Sequence, residues 1–202
     1  LNNTVNGITL NSLENAQIHN CELSGSGVKG IRVTYSGEVI LSKCNVHNSG
    51  SYGIHLDHTN KATIYDTSTV DNLYGLYAYY LNNLYLSNST LSNNSVDGIY
   101  SDLSNGQIVQ CMIKENGDDG VEYVKSVFNL THCNIIGNMD YGVDKNGEPS
   151  NVNGAYCWWG DTSGPYHSIA NPGGTGGKVD FMDFKPWLNT SQQYQPLLSD
   201  LR

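Results

Sequence analysis

Apolar and polar residues alternate along this chain in short bursts, and the bursts themselves recur at a fixed interval. Gly followed by an aliphatic residue stands at Gly7-Ile8, Gly30-Ile31, Gly53-Ile54, Gly75-Leu76, Gly98-Ile99, Gly120-Val121 and Gly142-Val143, a spacing of 22 or 23 residues throughout. A second ladder keeps the same period through Ile18, Leu41, Ile64, Leu86, Ile108 and Leu130, and a third through Ala16, Val39, Ala62, Leu84, Gly106 and Phe128. Small residues form a fourth, Cys21, Cys44, Thr67, Ser89, Cys111 and Cys133, followed two positions later by Leu23, Val46, Thr69, Leu91, Ile113 and Ile135. In the third repeat a slip by one residue fits equally well, because Ser68 and Val70 match the pattern too. Alternation with period two puts one set of side chains inside and the other outside a strand.

A repeat of this length with short strands and no helical periodicity is the signature of a stacked β-solenoid, in which one coil cannot bury its inner face but neighbouring coils can. The pattern predicts an all-β, right-handed parallel β-helix of about seven coils of 22–23 residues, on the order of 35 Å long at ~4.8 Å per coil. Asn94, Asn116 and Asn138 each precede the repeat Gly by four residues, as Asn3 does, whereas Asn48 and Asn72 are one residue out of register. Stacked Asn at a turn bonds side chain to backbone along the column, a structural role. The repeat loosens after Gly142. Residues 1–142 therefore read as β-helix coils, and 143–202 as a last coil, an irregular C-terminal cap and a tail. Gly and Pro break regular structure in that segment, and Trp158, Trp159, Phe181, Phe184 and Trp187 are placed to cover the final coil. At the other end the chain begins in mid-coil without Met or a capping helix, which suggests processing, upstream coils, or docking onto another chain.

Composition narrows the function. The net charge is −9, and the ten Lys and Arg are scattered, which argues against nucleic-acid binding. No apolar run approaches the ~20 residues of a transmembrane helix. The cysteines fall in one inward column continued by Cys157, so they read as small buried hydrophobes. Equivalent Cβ atoms in adjacent coils sit ~4.8 Å apart, wide for a disulfide, and no clamp spacing for zinc occurs. No metal is specified. Ca2+ at Asp118-Asp119 or beside Asp161 stays open, without a recognisable loop pattern.

The repeated Asn-x-x-x-Gly-Ile unit resembles the right-handed parallel β-helix repeat superfamily of pectate lyase-like enzymes, mannuronan epimerases and NosD-like carbohydrate-binding and surface proteins. The resemblance covers residues 3 to 188. The run from Cys157-Trp158-Trp159-Gly160-Asp161 through Asn171-Pro172-Gly173 to Pro186-Trp187-Leu188 looks like the terminal segment of large surface-anchored β-helix proteins, which implies an extracellular or cell-surface setting. In that superfamily the strand after the repeat Gly carries substrate contacts and catalytic groups. Here its outward positions, two and four after each Gly, are Thr9/Asn11, Arg32/Thr34, His55/Asp57, Tyr77/Tyr79, Tyr100/Asp102, Glu122/Val124 and Asp144/Asn146. Tyr77, Tyr79, Tyr100, Asp102 and Glu122 are the expected ligand-binding residues, because Tyr faces stack on sugar rings and carboxylates bond hydroxyls.

Tyr52-Gly53-Ile54-His55-Leu56-Asp57-His58 resembles an epimerase segment in which Asp and His stand in the opposite order and a Pro replaces Leu56. The resemblance implies His55, Asp57 and Arg32 as candidate catalytic groups, with His55 or His58 as base, Tyr77 or Tyr79 as acid and Arg32 as carboxylate clamp. The paired acids of a hydrolase are not evident in the spacing. Five Asn-x-Ser/Thr sequons, at Asn2, Asn88, Asn93, Asn129 and Asn189, are candidate glycosylation sites.

These features favour a rigid extracellular scaffold or adhesive rod that contacts a polysaccharide or glycan through the outward stripe, ahead of catalysis. The competing readings are a polysaccharide lyase or uronate epimerase, and a structural subunit that stacks on copies of itself through its first coil into a filament or envelope layer.

Overall fold

The computed structural model describes residues 4–146, 152–180 and 182–193. Its strands form three parallel sheets of nine, eight and six strands, with no helix among the described residues. Each coil gives one strand to each sheet. The first coil supplies Asn6–Asn11, Asn15–His19 and Glu22–Ser24, and the sixth supplies Val121–Val124, Val127–Thr131 and Asn134–Ile136. Six coils are complete in this sense, and Tyr141–Lys145 opens a looser seventh. Parallel neighbours need a long connection between them, and here the remainder of the coil provides it.

Identical register from coil to coil builds the core. Ile8, Ile31, Ile54, Leu76, Ile99, Val121 and Val143 pair in one unbroken line through the nine-stranded sheet. Thr69 pairs with Val46 on one side and Leu91 on the other, so the third coil does not slip, and Ser68 and Val70 flank the inward position. The repeat Gly is required by space. A Cβ on Gly75 would lie 2.5 Å from the carbonyl oxygen of Gly98 and 2.8 Å from Asn94 Nδ2.

Behind that corner runs the Asn ladder. The Oδ1 atoms of Asn72, Asn94, Asn116 and Asn138 accept the backbone N–H of Ser49, Asn72, Asn94 and Asn116 at 2.9–3.1 Å. Asn72 thus belongs to the ladder despite its offset in the sequence, because its turn reaches the next Gly one residue sooner. Asn48 lies outside the ladder at a positive-φ turn position, and Asn3 lies outside the described residues. The turn that follows the nine-stranded sheet holds Tyr35, His58 and Tyr80 at φ of 49–50°, a region that non-glycine residues rarely adopt. Each is secured by donating its N–H to the next coil, to Asp57, Tyr79 and Asp102 respectively, at 3.0–3.1 Å.

The cysteines are free thiols, buried except for the half-buried Cys21. Cys44, Cys111 and Cys133 donate their S–H to the carbonyl two residues earlier at 3.3–3.5 Å. The C-terminal segment returns to the solenoid, since Gly176–Val179 adds to the nine-stranded sheet beside Tyr141–Lys145. Trp159 and Phe184 are buried there, and the Trp187 indole N–H donates to the Thr162 carbonyl at 3.2 Å. Phe181 lies outside the described residues. No helix among those described is long and apolar enough to cross a membrane.

Candidate functional site

The outer face of the nine-stranded sheet concentrates the chemistry. Strict alternation from the inward residue after each Gly would send the residue before each Gly inward as well. The structure places two consecutive inward positions at Gly and the residue after it, and this corner shifts the phase. The residues preceding Gly, among them Lys29, Tyr52, Tyr74, Asp97, Asp119 and Tyr141, therefore form an additional functional column. Those at Lys29, Tyr52 and Tyr74 lie beside Arg32, His55, Tyr77 and Tyr100 on the outer face, as the ring and charge contacts show. Sequence reasoning missed this column, although it keeps the same 22–23-residue period and is polar or aromatic throughout.

Three zones follow one another along the face. The first is cationic, with Lys29 and Arg32 in one strand. Partial burial, reinforced by Arg32, lowers the Lys29 pKa, with Asp57 acting in the opposite direction. The second zone is a track of rings. Tyr77 stacks on Tyr100 at 4.8 Å between centroids, with the planes only 9° apart, and Tyr52 lies 4.7 Å from Tyr77. Tyr74 closes the cluster against Tyr77 and Tyr100 at 5.9 and 6.0 Å. Burial and the neighbouring Tyr100 push the Tyr77 phenol up to about 12, so it is a neutral donor near pH 7.

His55 sits within this track, 5.2 Å from the Tyr52 ring and 5.4 Å from the Tyr77 ring. It is 8% exposed, and its Nδ1 has no hydrogen-bond partner. Burial first, then Lys29, hold its pKa down to about 4, so the imidazole is neutral at pH 7. Asp57 is in the same strand, but its carboxylate bonds His58 Nδ1 at 2.5 Å. His58 in turn stacks between Tyr35 and Tyr80 at 5.1 and 4.8 Å on the turn flanking the sheet. The three expected catalytic groups are thus divided. Arg32 and His55 are register neighbours, whereas Asp57 serves His58.

The third zone is acidic. Tyr79 and Asp102 are half-buried register partners at its border, and Glu122 follows Tyr100 in the next coil. Carboxylate oxygens of Asp97, Asp119 and Glu122 lie within 4.8 Å of one another, as do those of Asp118, Asp119 and Asp140. Burial raises Asp97 to about 8 and Asp119 to about 7, against opposing backbone hydrogen bonds. Asp161, the other acid considered for Ca2+, is already engaged by the N–H and hydroxyl of Ser163 at 2.8 and 2.7 Å. These bonds lower its pKa. Of the sequon residues, Asn88, Asn93, Asn129 and Asn189 are exposed, and Asn2 lies outside the described residues.

A solenoid with one chemically dense outer sheet defines the class: a parallel β-helix protein. The family model described as "Right handed beta helix region" matches residues 6–154, and the chain belongs to that family. Among solved structures it is similar to that of pectate lyase Pel9A, with a TM-score of 0.59 and 12% sequence identity. That similarity covers 84% of this chain and 52% of the lyase, so the chain spans about half its length, and at this identity the likeness concerns the fold. No curated protein matches the chain.

Proposed function

We propose that this protein binds a polysaccharide along the outer face of the nine-stranded sheet and acts outside the cell as a rigid scaffold or adhesive rod. The observation that supports this reading is the ring track of Tyr52, Tyr74, Tyr77 and Tyr100, drawn from three successive coils and half-exposed. Coils recur at the ~4.8 Å strand spacing, so the face offers a periodic set of rings and polar groups to a periodic polymer. Lys29 and Arg32 at one end suit a sugar carboxylate. The pectate named for the structural neighbour makes polygalacturonate the first ligand to try.

A lyase or epimerase built on Arg32, His55 and Asp57 is the second reading. In its favour, the His55 imidazole is neutral at pH 7, as a base must be. Against it, the ring is buried between tyrosines and Asp57 is bonded elsewhere.

One experiment separates them. The chain is incubated with neutral and uronate polysaccharides, and both retention and product masses are recorded. Retention without products is expected. Tyr77→Ala with Tyr100→Ala should weaken it at least about tenfold, or about 1.4 kcal/mol, and undiminished retention would remove the ring track from the site. Unsaturated or epimerised products that vanish in His55→Ala would establish the enzyme instead.

A further inference from the structure

We propose that Cys21 and Cys44 are a disulfide-forming pair, a site of covalent modification that locks the first coil onto the second. The site is independent of the glycan reading. The two residues hold the same place in adjoining coils. His19 pairs with Ser42 on one side of them, and Glu22 pairs with Asn45 on the other. Asn45 donates its N–H to the Cys21 carbonyl at 2.8 Å, and the two thiols lie within hydrogen-bonding reach of each other.

Equivalent Cα and Cβ atoms in adjoining coils stand about 4.8 Å apart. That spacing suits the Cα separation of a disulfide, about 4.4–6.8 Å, and exceeds its Cβ separation, about 3.5–4.5 Å, by a few tenths of an ångström. The first coil is the one able to supply this closure. Its strands stand at the end of all three sheets and pair on one side only among the described residues. Its apolar side chains Ile8, Leu10, Ala16 and Leu23 are only partly buried.

Exposure selects this pair over the others. Cys111, Cys133 and Cys157 also follow one another coil by coil, but each is 0% exposed, out of reach of a dissolved oxidant. Cys21 is half-buried, whereas Cys44 is 2% exposed. Burial pushes the Cys44 thiol up, so exchange begins at Cys21. The oxidant is a low-molecular-weight disulfide, of which oxidised glutathione is the probe. The Cys21 thiolate attacks one glutathione sulfur, the glutathione S–S bond breaks, and the first glutathione leaves with the Cys21 proton. Cys44, deprotonated by solvent, then attacks Cys21 Sγ and releases the second glutathione, which takes up a proton. The two protein thiols are oxidised and one glutathione disulfide is reduced.

The test treats the full, folded chain with oxidised glutathione at pH 8 and reads intact mass, peptide masses and hydrogen exchange. Wild type should lose two hydrogens and yield one disulfide, Cys21–Cys44, with Cys111, Cys133 and Cys157 still free. Exchange in Glu22–Ser24 should slow at least about tenfold on oxidation. Cys44→Ser should stop at the mixed disulfide of Cys21 with glutathione. Serine fits that column, because Ser89 already occupies it and donates to the Ser87 carbonyl at 2.7 Å. Cys21→Ser, at a half-buried position, should take up no glutathione and form no disulfide. A wild-type chain that stays reduced, that ends as the mixed disulfide, that bridges any other pair, or whose first coil exchanges as fast after oxidation as before would overturn the proposal.

Discussion

Asn94 illustrates how much of this fold hangs on single side chains. It is 1% exposed. Its Oδ1 accepts both Asn72 N–H at 3.1 Å and Asn72 Nδ2 at 3.3 Å, while its own Nδ2 donates to Thr69 O and Asn116 Oδ1. Asn94→Ala strands a buried backbone N–H, which costs about 1–3 kcal/mol per unsatisfied group. Chemical denaturation should detect a loss of that size. Asn82, which donates to Asn60 at 2.7 Å on the exposed surface, provides the contrast. Asn82→Ala should fall within about 0.5 kcal/mol of wild type, and equal losses at the two sites would refute a ladder-specific role. His55 and His58 make the same point about environment. They are three residues apart, yet one is buried in a ring track and the other stacks on an exposed turn.

At the scale of the sheet, the acidic zone sets how stability responds to pH. Asp97 and Asp119 are raised in the folded chain to about 8 and about 7, far above the ~3.9 of an unfolded Asp. The folded state therefore holds more protons than the unfolded state between those values, and stability falls as pH rises through that range. His55 works in the opposite sense. Its folded pKa of about 4 lies below the unfolded ~6.5, so its contribution rises with pH and is complete above about 6.5. Between pH 6.5 and 8 the His55 contribution is therefore constant, and the raised acids make stability fall as pH rises. Facing them are Glu122, Asp118, Asp140, Asp144, Tyr74 and Tyr100, with Lys178 tied to Asp140. In chelator, the melting temperature should drop across this window for wild type and drop less for Asp97→Asn. A flat wild-type profile would contradict the raised acids.

This zone also marks the limit of what the sequence discloses. The columns after Gly were readable because alternation is intact there, and they located Arg32, His55, Tyr77, Tyr100 and Glu122. Lys29, Tyr52, Tyr74 and Asp97 were not, and Asp119 was read only beside Asp118 as an open Ca2+ position rather than as part of this face, because the corner at Gly reverses the phase of the alternation. The partner of Asp57 was equally hidden. His58 has the wrong parity for an extended strand, and only its left-handed turn at φ 49° brings it to Asp57.

Across the whole molecule, the strands of the described residues pair between adjoining coils, so stability should be approximately a sum of coil and interface contributions. Leu86 is 2% exposed and packs between Ile64 and Ile108, its register partners in the adjoining coils. Leu86→Ala should cost about 2–5 kcal/mol and lower hydrogen-exchange protection in the coils on both sides. Leu23 belongs to the first coil, is only partly buried, and has a register partner on one side, Val46. Leu23→Ala should cost less, and its loss of protection should be confined to Asn6–Asn11, Asn15–His19, Glu22–Ser24 and the coil that follows. Protection at Val121–Val124, four coils further on, should be unchanged. If Leu23→Ala loosens those distant amides as much as its own, the solenoid unfolds as one indivisible unit and nearest-neighbour additivity fails. If the loss stays local, the ring track in the third to fifth coils and the acidic zone beyond it are insulated from the first coil, as a binding face on a rod must be to keep its geometry.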